Sequence, residues 1–200
     1  DISVTVNNPS SIESNTLVKN GIAKVLNGEA ILPFHESFYS PNFPVNDIND
    51  PTKTWFVDAL INPITWERTT DASTEGPSSL FLDIKKTSGV HRLISPMIDF
   101  TQSTCNTLTF DLAYAPRTNS ALETFRVKVS TTCGRVWSDN DIIYEVSRQD
   151  IAPNSPLLNG NFVPNEDSWK SHSIDLSDYT TDNDLLVMFE FETNSGNALY

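Results

Sequence analysis

The chain of 200 residues suits one all-β domain, alone or with a short appended piece. It is 38% hydrophobic and carries eleven Phe, five Tyr and four Trp, which provide a sizeable core and exclude a disordered chain. The formal net charge of −13 disfavours nucleic acids and anionic membrane surfaces as partners, while it fits both cation binding and simple solubility. No apolar run approaches the roughly 20 residues that cross a bilayer, so membrane insertion is not expected.

The first 30 residues are predicted to be a separate segment. Residues 2–6 alternate apolar and polar β-branched side chains, which is typical of a strand. Asn7-Asn8-Pro9-Ser10-Ser11 breaks this strand, and the following stretch is rich in Ser and Asn. We therefore expect residues 1–30 to be a linker or the final strand of a preceding domain, and residues 31–200 to be the main domain. The alternative is that residues 21–26 add an edge strand to the main domain.

From Ile31 onward the chain consists of short aromatic segments separated by proline- and aspartate-rich turns. The first strand of the main domain is predicted over residues 33–38, and Pro41 and Pro44 end it. Further strands are predicted at residues 55–57, 65–68, 80–84 and 91–95.

After Thr107 the alternation becomes regular, with apolar residues on one face of the segment 108–114. The same pattern predicts strands at residues 125–129, 141–146, 169–174 and 185–192. No convincing helix is found. Ten or more short strands with irregular, proline-rich connections favour an all-β fold, a jelly-roll β-sandwich of two antiparallel sheets.

The two cysteines, Cys105 and Cys133, flank the two most regular strands. A hairpin centred near Asn119 would bring them together, but direct pairing would set Phe110 opposite Lys128, against the apolar pattern. A bulge, a diagonal bridge or strands in opposite sheets would remove this conflict. A disulfide would close a loop of about 29 residues and stabilise the fold by roughly 3–4 kcal/mol. Two free thiols are the alternative.

No arrangement of residues in the sequence is specific enough to predict a catalytic site. The three histidines are scattered, and the sequence has no HExxH, no G-x-S-x-G and no glycine-rich phosphate loop. Ser171, His172 and Asp175 could be drawn as a triad, as in almost any serine-rich sequence. Glu190 and Glu192, two apart on one strand face, are expected on a solvated sheet face.

Acids within apolar segments are the candidate cation ligands. Asp111 lies inside an apolar strand and either faces solvent or is buried with a cation or hydrogen-bonding partners. Asp83 poses the same alternative. The acidic stretches 139–141 and 182–184 lack the glycine and distal Glu of an EF-hand loop, so they are expected to be turns.

The four tryptophans divide into two groups. Trp55 and Trp169 lie next to loops and are the candidate ligand-binding residues, because an exposed indole can stack on a sugar ring. Trp66 and Trp137 lie beside strand-like segments and are expected in the core.

An ordered series of motifs runs through residues 31–200. It comprises Pro33-Phe34-x-Glu36-x-Phe38, Phe43-Pro44, Thr65-Trp66-Glu67-Arg68, Leu93-Ile94-Ser95-Pro96-x-Ile98-Asp99, Leu108-Thr109-Phe110-Asp111-x-Ala113-Tyr114, Val129-Ser130-Thr131-x-Cys133-Gly134-x-x-Trp137, Trp169, Ile174-Asp175-Leu176-Ser177 and Gly196-Asn197-x-Leu199-Tyr200. In this order the motifs resemble the cleaved-adhesin, or choice-of-anchor J, domain of secreted bacterial multidomain proteins, a relative of MAM domains. Residues 2–6 resemble the end of a PKD-type Ig-like module.

The resemblance implies a calcium-stabilised jelly roll that is secreted or cell-surface, non-catalytic and often placed after a peptidase such as a pappalysin-like zinc metalloprotease. It implies adhesion or substrate capture at a protein or carbohydrate surface, with no organic cofactor. The family usually has Phe-Glu where this chain has Phe38-Tyr39, which leaves Glu36 as the nearby acid. Glu36, Asp83 and Asp111 are therefore the candidate calcium ligands. The alternatives are a structural spacer that packs on a neighbouring catalytic domain, and a hydrolase with an unrecognised cleft site.

Overall fold

Most strands of the main domain form two packed antiparallel sheets in the computed structural model, with one short parallel pair between Ala30–Ile31 and Ile98–Asp99, and the predicted all-β sandwich is confirmed. The structure describes residues 2–7, 14–19, 29–44, 50–58, 64–85, 88–101, 103, 106–118, 123–152, 157–182, 184–194 and 196–200. Its strands are β1 (Ile2–Asn7), β2 (Ser14–Lys19), β3 (Ala30–Ile31), β4 (Phe56–Val57), β5 (Glu67–Thr69), β6 (Ser79–Asp83), β7 (Ser88–Ile94), β8 (Ile98–Asp99), β9 (Thr107–Ala113), β10 (Thr124–Ser130), β11 (Ile142–Ser147), β12 (Trp169–Asp175), β13 (Leu186–Asn194) and β14 (Ala198–Leu199). Within these ranges no helix is long and apolar enough to cross a membrane.

The first sheet has five antiparallel strands in the order β11-β10-β13-β7-β4. β13 lies at its centre, and its alternation places Val187, Phe189 and Phe191 against the core, as the pattern predicts. Phe189 pairs with Val127 on one side and with Leu93 on the other. Apolar side chains from three neighbouring strands therefore lie side by side and stabilise the sheet.

The second sheet consists of two groups of strands joined by main-chain hydrogen bonds. β12 pairs with β9, while β14 pairs with β6 and β6 pairs with β5. Ala113 and Tyr200 exchange two main-chain hydrogen bonds, with N···O distances of 3.0 and 2.9 Å, so β14 lies between β9 and β6. The strand order is therefore β12-β9-β14-β6-β5. The rings of Phe110 and Phe125, with centroids 5.6 Å apart, meet between the two sheets.

The two most regular strands, β9 and β10, lie in different sheets. Phe110 pairs with His172 on β12, and Lys128 pairs with Met188 on β13. The predicted hairpin centred near Asn119 is therefore wrong, and strands in opposite sheets are the alternative that removes the register conflict. The physical reason is that each strand packs its apolar face against the other sheet instead of sharing one.

The predicted strand over residues 33–38 is also wrong, because this segment is irregular. Phe38 has a positive φ of 54°, which an extended strand does not contain. Its main-chain N–H donates to the Glu36 carboxylate at 2.6 Å, so a local side-chain contact takes the donor that a sheet ladder would use.

The N-terminal segment is a hairpin of β1 and β2, with Ile2 paired to Lys19. β1 matches the strand predicted at residues 2–6, whereas β2 lies where a linker was expected. Residues 21–26, the alternative edge strand, lie outside the described residues. The division between residues 1–30 and 31–200 stays a prediction.

The outer face of the first sheet carries a network of charges. Glu190 on β13 pairs with Arg92 on β7 and with Arg126 on β10 in the strand register. Its carboxylate lies 2.8 Å from Arg92 Nε and 3.1 Å from Lys128 Nζ. Glu190 is therefore buried, and its predicted place on a solvated face is wrong; Glu192, two residues on, is exposed as expected. Glu190 can be buried because Arg92 on β7 and Arg126 and Lys128 on β10 place positive charge against its carboxylate.

Candidate functional site

A cleft of about 620 Å³ opens between β9 and the strand pair β5–β6 and reaches into the space between the sheets. β14 lies between β9 and β6 at one end of this cleft. Its aromatic lining residues are Phe34, Phe38, Trp55, Trp66, Phe100, Phe110, Phe125, Trp169, Phe189 and Tyr200. This is a large, mainly apolar concave surface, the usual form of a binding site.

Two buried polar side chains in the cleft wall have no hydrogen-bond partner. The amide oxygen and nitrogen of Asn106, which is 4% exposed, are both unpaired, and so is the indole N–H of Trp66, which is 5% exposed. Unpaired buried polar groups are rare and cost free energy. Both residues line the cleft, but these polar atoms are enclosed by protein and do not face its open space. No sequence pattern indicates that Asn106 is buried without a partner, because an asparagine before a strand looks like an ordinary turn residue.

The three candidate calcium ligands are not brought together. Glu36 and Asp111 both line the cleft, but each already accepts hydrogen bonds. Glu36 accepts from Phe38 N and from the indole of Trp55 at 3.3 Å, and Asp111 accepts from the Ser171 hydroxyl at 2.5 Å.

Asp83 is absent from the cleft lining, is exposed and lies 3.5 Å from Lys85 Nζ. In the part of the chain that the structure describes, no three acidic, His or Cys side chains are grouped to hold a metal ion. A calcium ion prefers six to eight converging oxygen atoms, and this donor set does not fit one. Calcium binding stays a prediction from the family resemblance.

The candidate stacking residues differ in position. Trp55 is 6% exposed and packs in an aromatic cluster with Phe38 and Phe43, with ring centroids 5.9 and 6.2 Å away. It is a core residue whose edge reaches the cleft. Trp169 is half-buried at the start of β12 and contacts Tyr200 edge-on at 6.4 Å. Trp169 is therefore the better placed of the two to contact a ligand.

The other two tryptophans were expected in the core. Trp66 is buried there as predicted. Trp137 is half-buried, and it lies beside Gly134 and Leu186, where an added Gly134 Cβ would come within 3.4 Å of its ring. Leu186 is on the outer face of β13, so Trp137 covers that face instead of entering the space between the sheets.

Cys133 is an exposed free cysteine, and its thiol lies 3.5 Å from the Asp184 carboxylate. That carboxylate raises the pKa of the Cys133 thiol above its ordinary value. The predicted disulfide with Cys105 is not shown by the structure, and Cys105 lies outside the described residues.

The arrangement offers no hydrolytic triad. Ser171 and His172 are consecutive on β12 and point to opposite faces, with Ser171 exposed and His172 buried. His172 accepts from the Tyr144 hydroxyl at 2.6 Å on Nδ1, and its Nε2 donates to the carbonyl of Ile151 at 3.0 Å. Asp175 accepts instead from Ser177. Both nitrogens of the His172 imidazole therefore already have hydrogen-bond partners within the protein.

No protein-family model and no curated protein matches the chain. Among solved structures, the K1 cleaved adhesin domain of Lys-gingipain from Porphyromonas gingivalis W83 is 17% identical, with a TM-score of 0.50 over 72% of this chain and 85% of that domain. The chain has the fold of a cleaved adhesin domain. The fold implied by the motif series is thereby confirmed.

Two further structures are similar at lower scores. The K3 cleaved adhesin domain of the same gingipain is 13% identical, with a TM-score of 0.45 over 72% of this chain and 90% of that domain. The module CBM27-1 of Caldicellulosiruptor saccharolyticus, solved with mannohexaose, is 16% identical, with a TM-score of 0.41 over 68% of this chain and 78% of that module.

Proposed function

We propose that the protein is a non-catalytic, extracellular binding module of a larger secreted protein, and that the cleft between β9 and β5–β6 is its ligand site. The observation that carries this proposal is the large, mainly apolar cleft, which is lined by aromatic side chains and by a few polar ones such as Glu36, Asp111 and Ser171. Apolar walls with a few convergent polar groups are the usual chemistry of recognition. The ligand is a protein or carbohydrate surface.

The absence of reactive groups in the cleft supports binding over catalysis. The acidic and histidine side chains that line it in the described part of the chain are Glu36, Glu75, Asp111, His35 and His172. Glu36, Asp111 and His172 have the hydrogen-bond partners given above, and His35 lies 3.5 Å from Glu75 on the exposed rim. Asp111 lies beside the Ser171 hydroxyl, but His172 points to the opposite face of β12, so these groups do not form the nucleophile, base and orienting residue of acyl-transfer chemistry.

A place beside a peptidase is part of the proposal. The similar K1 domain is a domain of Lys-gingipain, which supports a module within a larger secreted protein. The second candidate function is a spacer that packs on a neighbouring catalytic domain, and the apolar lining of the cleft is the observation that favours it. A spacer binds its own neighbour and nothing in solution.

A glycan array and a pull-down from matrix and host-surface proteins test the proposal. Thr109→Trp places an indole at the exposed rim of the cleft, and Thr131→Trp adds the same side chain at an exposed position outside the cleft lining. We expect binding in at least one assay, loss of that binding with Thr109→Trp, and no loss with Thr131→Trp. An absence of binding in both assays contradicts the proposal and favours the spacer function.

A further inference from the structure

One buried side chain holds the main chain on both sides of the exposed residue Asn159. Asn197, which precedes β14, is fully buried, and its Nδ2 donates to the carbonyl of Leu158 at 2.7 Å and to that of Gly160 at 3.0 Å. These two carbonyls belong to the neighbours of Asn159 in the chain. The segment is therefore fixed from within, while Asn159 and Gly160 are themselves exposed to water.

The order Asn159-Gly160 is the one in which an asparagine side chain reacts most readily with its own main chain. The main-chain nitrogen of the following residue attacks the side-chain Cγ, and a glycine leaves this nitrogen open because it has no Cβ. Nothing lies within 4 Å of the position that a Gly160 Cβ would take. The Gly160 N–H donates to no acceptor in the described part of the chain, so its nitrogen can attack without losing a hydrogen bond.

Arg117 is placed to activate the carboxamide that is attacked. Its Nε–H donates to Asn159 Oδ1 at 3.0 Å. Attack at Cγ develops negative charge on this oxygen, and a hydrogen bond from a charged donor becomes stronger as that charge grows. The guanidinium therefore acts as the donors of an oxyanion hole do, by stabilising the tetrahedral intermediate more than the starting amide.

We propose that Asn159 is a site of spontaneous deamidation, with Gly160 N as the nucleophile and Arg117 as the activating group. Gly160 N forms a bond to Asn159 Cγ, its proton passes through water to Nδ2, and the Cγ–Nδ2 bond breaks to release ammonia. Water then opens the cyclic imide. Cleavage of the bond from Cγ to Gly160 N gives aspartate, and cleavage of the bond from the Asn159 carbonyl carbon to Gly160 N gives isoaspartate. Water is the only co-reactant.

The two products differ in what they do to this segment. Aspartate keeps the main chain unchanged and sets a carboxylate beside the Arg117 guanidinium, where it forms an ion pair. Isoaspartate adds a methylene group to the main chain between the carbonyls of Leu158 and Gly160, so both can no longer stay on Asn197 Nδ2. A buried donor then loses a partner, which destabilises the fold. None of these residues lines the cleft, so the inference is independent of the proposed function.

Peptide mapping of the wild-type chain after storage in mildly alkaline buffer tests the site. Fragmentation of the tryptic peptide 149–170 by mass spectrometry locates each converted residue. Asn161, which is also exposed but precedes the buried Phe162, is the internal control. We expect Asn159 to convert at least about tenfold faster than Asn161, because the Phe162 side chain shields its main-chain nitrogen. An unconverted Asn159, or conversion no faster than at Asn161, overturns the proposal.

Two variants test the nucleophile and the activating group separately. Gly160→Ala adds a methyl group to open space, so it is expected to fold normally while conversion of Asn159 slows. Arg117→Gln removes the guanidinium and is expected to slow conversion by about fivefold or more, as the loss of one charged hydrogen bond requires. Arg117→Lys keeps the positive charge and should restore part of the rate. Equal rates in the wild type and in Arg117→Gln would contradict the role assigned to Arg117.

Thermal melts of the stored samples test the consequence for the fold. Stored wild type should show a second, lower transition from the molecules that carry isoaspartate at position 159. Stored Gly160→Ala is the matched control, because it keeps the other Asn-Gly pairs of the chain, Asn20-Gly21 and Asn27-Gly28. A transition caused by those pairs would appear in both samples. Wild type that contains isoaspartate at position 159 and melts as the fresh protein does would contradict the hold of Asn197 on this segment.

Discussion

Glu190 Oε1 lies 3.1 Å from Lys128 Nζ on the outer face of the first sheet, and the two side chains are only 4% and 6% exposed. Burial by itself would raise the pKa of Glu190, but hydrogen bonds and positive charge from Arg92 and Lys128 outweigh it and hold that pKa below its ordinary value of 4.5. The pair is therefore charged within a largely desolvated site, where removal of one partner leaves the other uncompensated.

Glu190→Gln is expected to lower the free energy of unfolding by about 3 kcal/mol, because the buried Lys128 then loses its nearest counter-charge. Glu192→Gln on the same strand removes an exposed carboxylate and is expected to cost much less. Urea denaturation of the three proteins measures both. A comparable loss from the two substitutions would contradict the buried network.

The Glu190 carboxylate also makes the stability of the protein depend on pH in the acid range. Since the pKa of Glu190 is lower in the folded state than in the unfolded state, its contribution is complete above the ordinary value and declines as pH falls through the lowered value. The wild type should therefore lose stability below about pH 4.5 more steeply than Glu190→Gln. Denaturation at pH 3 and pH 6 provides the comparison, and parallel losses would refute it.

His172 introduces a second pH dependence. Burial lowers its pKa below the ordinary value of 6.5, an effect that Lys170 strengthens and that the hydrogen bond to Ile151 and the charge of Asp111 only partly offset. Below pH 6.5 the unfolded chain binds a proton that the folded chain does not, so stability falls as the pH drops from about 7.5 to 5.5. His172→Gln should flatten this slope, although His91, also buried and lowered in pKa, keeps part of it.

Thermal melts of the wild type and of His172→Gln across the pH range measure this slope. An unaltered slope in His172→Gln would show that this imidazole protonates equally well in both states.

Gly196 tolerates no side chain. A Cβ at this position would lie 2.8 Å from the Tyr114 hydroxyl and 2.8 Å from Glu123 Oε1, and both of these side chains are fully buried. Gly196→Ala is therefore expected to cost about 1–3 kcal/mol through overpacking. Gly160→Ala, where nothing lies within 4 Å, should leave the melting temperature nearly unchanged. Equal melting temperatures for the two variants would mean that the site can relax.

Metal removal tests the calcium prediction. Because Glu36, Asp83 and Asp111 are dispersed and already hydrogen-bonded or ion-paired, we expect these three residues to contribute nothing to any effect of EDTA on the melting temperature. A fall in EDTA that calcium restores and magnesium does not would show a site built from other ligands. Glu36→Gln and Asp111→Asn would then leave the calcium response intact.

Alternation of apolar and polar residues along the sequence was sufficient to locate the long strands. In β13 the apolar residues Val187, Phe189 and Phe191 all face the core, because successive side chains of a strand point to opposite faces. It could not locate β14, because the two residues Ala198 and Leu199 are too few to show a period. It also could not reveal the burial of Glu190, which depends on cations from strands distant in sequence.

The site was harder to predict than the fold. Trp55 looked like a loop residue, yet the irregular segment before it folds Phe38 over its ring and places it in the core. Asn106 and Trp66 lie in the wall of a cleft whose lining residues come from separate parts of the chain. No pattern within one segment of the sequence indicates which distant residues will line the same cleft.

The central position of β13 determines when the protein can begin to fold. Met188 pairs with Lys128, 60 residues earlier, and with Ile94, 94 residues earlier. Contacts of such long sequence separation make folding slow, since the entropy of closing the intervening loops is lost before the strands can pair. A ribosome that has made β10 and β11 has produced only part of the first sheet. The growing chain therefore stays without its central strand until synthesis has passed residue 190.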